Sequence, residues 1–114
     1  MLFRSVAIDV RTGKTTGETL HPWPLYGGTL GTAGDLLFVS SVDGKFMALD
    51  KDTLAELWSF NVGTSISSPA ITYAVDGKQY VAVTVGGALY RPDDFNTREL
   101  PNLQRNSQVV VFGL

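Results

Sequence analysis

The chain has 114 residues, 44% of them apolar, and scattered charges that sum to −2. That is enough chain for one small domain, with no basic face for nucleic acid or an anionic membrane and no apolar run long enough to span a bilayer as a helix. The absence of cysteine excludes a disulfide framework and thiolate metal sites, and leaves the redox compartment open.

Met1 to Ser5 does not read as a signal peptide, because no sustained apolar segment follows it. The first strand is expected at Val6–Asp9, which places the start of the chain in mid-sheet. The chain is therefore expected to be truncated, with Leu2 to Ser5 a cloning or sequencing scar; a short protein with a frayed start is the alternative. Arg11 to Gly13 turn the chain back and Thr15–Leu20 form a weak outer strand. His21-Pro22-Trp23-Pro24-Leu25 is a linker, since two prolines so close cannot lie inside a ladder.

Tyr26 to Gly34 opens the next sheet with four glycines, which keep the backbone slim enough for close approach of another strand or a ligand. Leu36–Ser41 is an apolar run of the kind buried on both faces. Asp43-Gly44 is a hairpin turn, followed by strands at Lys45–Leu49 and Ala55–Asn61. Gly63 to Ser68 is a second small-residue crossing. Pro69–Ala74, the turn at Asp76-Gly77 and Gln79–Val85 follow. Residues 86–106 show no periodicity and read as a long loop, of the kind that is usually functional or disordered. Ser107–Phe112 is a final strand, and no helical pattern of useful length occurs.

Two segments organise this order. Ala7-Ile8-Asp9-Val10-Arg11-Thr12-Gly13 and Ala48-Leu49-Asp50-Lys51-Asp52-Thr53-Leu54 share Ala-x-Asp-x-x-Thr at the end of an apolar strand, and begin 41 residues apart. A period of roughly 40–45 residues is that of a β-propeller blade. In each segment the Asp carboxylate is placed to accept backbone N–H groups of the turn. The first copy has Gly17 where the second has Trp58, and the second has Leu54 where the first has Gly13. Trp58 is expected to fill the gap between neighbouring sheets. The fold expected is all-β: a partial propeller with the end of one blade at 6–20, a complete blade at 26–61 and a partial last blade at 69–114. The Val-Asp-Gly-Lys copies at 42–45 and 75–78 lie 33 residues apart, out of phase with the blade, and read as unrelated turns.

Several pieces in order resemble the C-terminal blades of pyrroloquinoline-quinone (PQQ)-dependent alcohol dehydrogenases. They are Gly-Gly-Thr-Leu-Gly-Thr-Ala-Gly-Asp-Leu-Leu-Phe from Gly27, Asp-Gly-Lys-Phe-Met-Ala-Leu-Asp from Asp43, Leu57-Trp58-Ser59-Phe60, the segment from Ser68 to Val83, Gly86-Gly87 and the closing Val111-Phe112-Gly113-Leu114. The resemblance implies an eight-bladed periplasmic propeller with PQQ near the axis over calcium or a lanthanide. Substrate alcohol gives hydride to the quinone, and electrons pass to a cytochrome c or quinone acceptor. It further implies that this chain is about the last quarter of the ring, with catalytic residues and metal ligands upstream. The positions matching the family's cofactor contacts are Tyr26, Gly27 and Gly28, where the family usually carries Trp-Gly-Gly, and Gly86 and Gly87. A Trp common in the loop after Gly87 is absent, with Ala88-Leu89-Tyr90 near its place. The fragment by itself is expected to be inactive.

A similar repeat occurs in the non-catalytic quinoprotein-like scaffold of outer-membrane protein assembly, which needs no quinone pocket. A third reading is a self-associating interaction module, because an incomplete propeller exposes sheet edges and apolar faces. His21 reads as an exposed loop residue, Asp93-Asp94 as solvated surface, and Trp23 and Trp58 as packing. Tyr26 serves either pocket or core. Gly27, Gly28, Gly86 and Gly87 serve either strand crossings or a site.

Overall fold

The computed structural model describes residues 2–86 and 107–114, so Gly87, Asp93-Asp94 and the rest of the long loop lie outside the described residues. The chain is all-β there, in strands β1 (Phe3–Ile8), β2 (Thr15–His21), β3 (Thr29–Gly31), β4 (Leu36–Ser40), β5 (Lys45–Asp50), β6 (Glu56–Asn61), β7 (Ile71–Val75), β8 (Lys78–Gly86) and β9 (Ser107–Gly113). They form three antiparallel sheets, ordered β1-β2, β3-β4-β5-β6 and β7-β8-β9. We call them the first, second and third sheets.

The 41-residue repeat is a repeat of structure. In both copies the ladder bulges one pair before the turn, between Ala7 and Ile8 and between Ala48 and Leu49. Asp9 Oδ1 accepts the Arg11 N–H at 2.8 Å, and Asp50 Oδ1 accepts those of Asp52 and Thr53, both at 2.9 Å. These backbone donors come first among the causes that hold both carboxyls below their ordinary range. Gly13 and Leu54 close the turns with φ of 71° and 59°, each N–H bonding back to the Asp carbonyl. A left-handed leucine is unfavourable. Leu54 keeps that backbone because its side chain is buried against Val39, Met47 and Leu49, with Ala7 packed on the same cluster. Gly13, which has nothing near its missing Cβ, has no such contact to gain.

The register also accounts for the Gly17–Trp58 difference, because Ala7 pairs with Gly17 and Ala48 with Trp58. A Cβ on Gly17 would lie 2.5 Å from the carbonyl carbon and oxygen of Thr53, so the turn of the second sheet is seated on that backbone. Trp58 instead meets Phe112 of the third sheet edge-on, with ring centroids 5.2 Å apart. It bridges the sheets as expected while staying 41% exposed. The core between the second and third sheets is Phe38, Phe46, Ala48, Ile66, Val81, Val83 and Val85, with Val110 and Phe112 packed on it.

The two Val-Asp-Gly-Lys turns are different structures. Asp43-Gly44 joins β4 to β5 through a longer loop, whereas Asp76-Gly77, both at positive φ, form a two-residue hairpin between β7 and β8. At the N-terminus the first strand begins earlier than expected, at Phe3 rather than Val6, and Phe3, Arg4 and Ser5 pair with His21, Leu20 and Thr19. Alternation of inward and outward residues along β1 starts at Phe3.

Candidate functional site

The residues singled out in the sequence come together around the crossing 63–69. Gly27 is buried where the chain enters β3. A Cβ there would lie 2.5 Å from the Ser68 carbonyl oxygen and 2.6 Å from Ser40 Oγ. Ser68 in turn donates its hydroxyl to the Thr84 carbonyl on β8. Gly86, at φ 95°, donates its N–H to the Ser65 carbonyl at 2.7 Å. One segment thus ties the start of β3 to the end of β8, and it brings Tyr26, Gly27, Gly28 and Gly86 into one region.

Their roles there differ. The Gly27 gap is filled by protein, and the Gly86 N–H is already committed to Ser65. Tyr26 is 47% exposed and so is not a core residue. Gly28 is exposed beside it, at φ 75°, with Pro69 Cβ the nearest neighbour of a Cβ there at 3.9 Å. A half-exposed phenol can donate or accept a hydrogen bond and offers a ring face. Sequence reading missed Ser65. Its hydroxyl is buried with no partner among the described residues, although the small-residue run holding it marks only a crossing. No group of three His, Asp or Glu side chains converges to hold a metal ion among the described residues.

His21 is a correction. It is the last residue of β2 and 5% exposed, and its Nε2 lies 3.1 Å from Ser5 Oγ. The ring lines a cavity of about 80 Å³ between the first and second sheets, shared with Asp43, Lys45 and Glu56. Lys45 Nζ holds Glu56 Oε2 at 2.9 Å, which lowers the Glu56 pKa. Burial is the main cause that pushes the His21 pKa below 6.5; the Lys45 charge adds to it and the Glu56 charge opposes it. Prolines following in the sequence concealed this burial, because His21 completes a ladder before they begin.

A depressed histidine pKa makes stability depend on pH in a definite direction. The unfolded chain takes up the proton first as pH falls through about 6.5, so the stability from neutral His21 is present above that value and is lost below it. The urea midpoint is expected to drop as pH is lowered from neutrality towards 5, before Asp9, Asp50 and Glu56 titrate. His21→Gln should flatten the profile in that window. An unchanged slope in the variant would assign the effect elsewhere.

Three sheets stacked face to face, with the same bulge and Asp turn recurring at a 41-residue period, define a β-propeller segment. The comparisons agree. The family model for the glucose/ethanol/alcohol dehydrogenase β-propeller domain of PQQ proteins matches residues 4–81, and the chain belongs to that family. It is 48% identical over 80 residues to the quinoprotein alcohol dehydrogenase PedE of Pseudomonas putida, covering 70% of this chain and 13% of that protein. It is 41% identical over 88 residues to the 1-butanol dehydrogenase (cytochrome c) of Thauera butanivorans, covering 76% of this chain and 13% of that protein. Among solved structures, a europium-containing methanol dehydrogenase superposes with a TM-score of 0.80 at 30% identity, over 97% of this chain and 23% of that one. The chain therefore spans about an eighth of the length of these curated relatives.

Proposed function

We propose that this chain is the C-terminal propeller segment of a periplasmic PQQ-dependent dehydrogenase that oxidises a small alcohol, and that it supplies one wall of the quinone pocket. The observation carrying this reading is the convergence of Tyr26-Gly27-Gly28 and Gly86 on one crossing, in a chain of the quinoprotein family. The residues fit an anionic quinone as a wall. Tyr26 is half-exposed there, Gly28 beside it leaves its backbone open, and the buried Ser65 hydroxyl has no partner among the described residues. Gly27 and Gly86 hold that wall in place.

Bound PQQ would accept hydride from the alcohol and pass electrons on, in the parent, to a cytochrome c or quinone acceptor. Calcium or a lanthanide beside the quinone would be held by carboxylates elsewhere in the parent. In this reading the chain contributes no catalytic residue and is inactive by itself. Self-association of the isolated chain also belongs to the reading.

The deciding experiment is to sequence the source DNA upstream of Met1. An open frame encoding further 41-residue repeats with carboxylate and asparagine ligands supports the reading. A stop codon and ribosome-binding site immediately before Met1 would overturn it.

A further inference from the structure

The sequence Val-Asp-Gly-Lys occurs at 42–45 and again at 75–78, and the fold holds the two copies in opposite ways. The first copy is clamped. Asp43 Oδ1 accepts the Ser41 hydroxyl and the Lys45 N–H, the latter at 3.3 Å. The Asp43 carbonyl accepts a hydrogen bond from Asn61 Nδ2 at 3.3 Å. Gly44 is buried; its N–H donates to the Ser41 carbonyl at 3.1 Å, and its carbonyl accepts the Val62 N–H at 2.9 Å. A Cβ on Gly44 would lie 2.7 Å from the Thr64 carbonyl oxygen, so this turn is wedged against the crossing that follows β6.

The second copy has none of these restraints. Asp76 and Gly77 are exposed, and neither the Asp76 carboxylate nor the Gly77 N–H has a partner among the described residues. Nothing lies within 4 Å of a Cβ built on Gly77. The turn is closed by the pairing of Val75 with Lys78, and β7 is the edge strand of its sheet. A hairpin end with so few contacts opens locally at low cost.

An aspartate followed by glycine has a chemistry of its own when both groups are free. The glycine nitrogen bonds to Cγ of the protonated aspartyl carboxyl, the Cγ–OH bond breaks, and the amide proton leaves with that hydroxyl as water. Water then reopens the cyclic imide at either carbonyl. Addition at Cγ restores aspartate, and addition at the backbone carbonyl carbon leaves the chain running through Cβ, as isoaspartate. Glycine favours ring closure because no side chain crowds the attacking nitrogen. We propose that Asp76 is a site of spontaneous isoaspartate formation in the folded chain, and that the turn around Asp43 protects that residue from the same reaction. The product puts an extra carbon into the backbone of a two-residue turn whose twist is matched to its strands. Conversion therefore loosens the Val75–Lys78 end of the β7–β8 ladder. Both strands belong to this chain, and the inference is independent of quinone binding.

The two aspartates fall in separate tryptic peptides, 15–45 and 52–78, so one digest reads both. The 114-residue chain is held in warm neutral buffer and sampled over time, with electron-transfer fragmentation to distinguish isoaspartate from aspartate. Isoaspartate is expected to accumulate at position 76 several-fold faster than at position 43. The immediate neighbours are identical, so unfolding in guanidinium should bring the two sites to the same rate. Asp76→Asn keeps a residue suited to the turn and forms the same imide by losing ammonia. It should speed isoaspartate formation at 76 and leave 43 unchanged. Equal accumulation at both sites in the folded chain overturns the proposal. So does a difference that survives unfolding, which would assign the preference to sequence, or an Asp76→Asn variant no faster than wild type, which would exclude the imide.

Discussion

Phe46→Ala is expected to destabilise the chain by about 3–5 kcal/mol, as for other buried aromatic truncations. Phe46 is 1% exposed at the centre of the interface between the second and third sheets. Its ring stacks on Phe38 at 5.7 Å and on Phe112 at 5.4 Å, and meets Trp58 edge-on at 6.2 Å. Removing it uncovers three other rings and leaves a cavity that two hydrogen-bonded sheets close only in part. Domains of this size have roughly 5–15 kcal/mol in total, so the loss takes a large share of it. Urea denaturation followed by tryptophan fluorescence reads the change directly, because Trp58 is in the cluster. Trp58→Ala should cost less, since that side chain is already 41% exposed. In a double-mutant cycle, Phe46 and Phe112 are expected to couple by about 0.5–1.5 kcal/mol. A midpoint within error of wild type for Phe46→Ala would mean that the second and third sheets are not packed as described.

Much of this was legible in the sequence because the repeat is written in residues with backbone consequences. Asp9 and Asp50 each bind their own turn, so the Ala-x-Asp-x-x-Thr pattern identifies a local structure whatever surrounds it. The out-of-phase Asp43-Gly44 and Asp76-Gly77 turns were separable by spacing. Tertiary contacts were hidden. Leu54 reads as a lapse in the repeat until its burial is seen, and Gly17 as another until the Thr53 backbone is found against it. His21 looks like linker because of Pro22, whereas its environment comes from Ser5 across the ladder and from Lys45 and Glu56 on the next sheet. For the site, sequence resemblance named Tyr26 and the glycines. Only the structure divides them into an exposed pair, Tyr26 and Gly28, and a pair committed to the crossing, Gly27 and Gly86.

That division sets the second expectation: Gly27→Ala should cost more stability than Gly28→Ala, although Gly28 is the glycine with the left-handed backbone. At Gly27 the added methyl meets backbone, the Ser68 carbonyl oxygen at 2.5 Å, as well as Ser40 Oγ at 2.6 Å. A rotamer change moves Ser40 aside but not the Ser68 carbonyl, whose own side chain is bonded to Thr84 on β8. The crossing must shift, and overpacking of this kind costs about 1–3 kcal/mol. At Gly28 the methyl has room, with Pro69 Cβ 3.9 Å away, and the cost is the left-handed strain at φ 75°, about 1 kcal/mol. The two variants should also differ in kind. Displacing the crossing at Gly27 should loosen the Gly86–Ser65 bond, read as faster hydrogen exchange of the Gly86 amide, whereas Gly28→Ala should leave that amide protected. Equal costs with no change at Gly86 would separate Tyr26 from the end of β8 and remove the observation on which the proposed quinone-pocket wall rests.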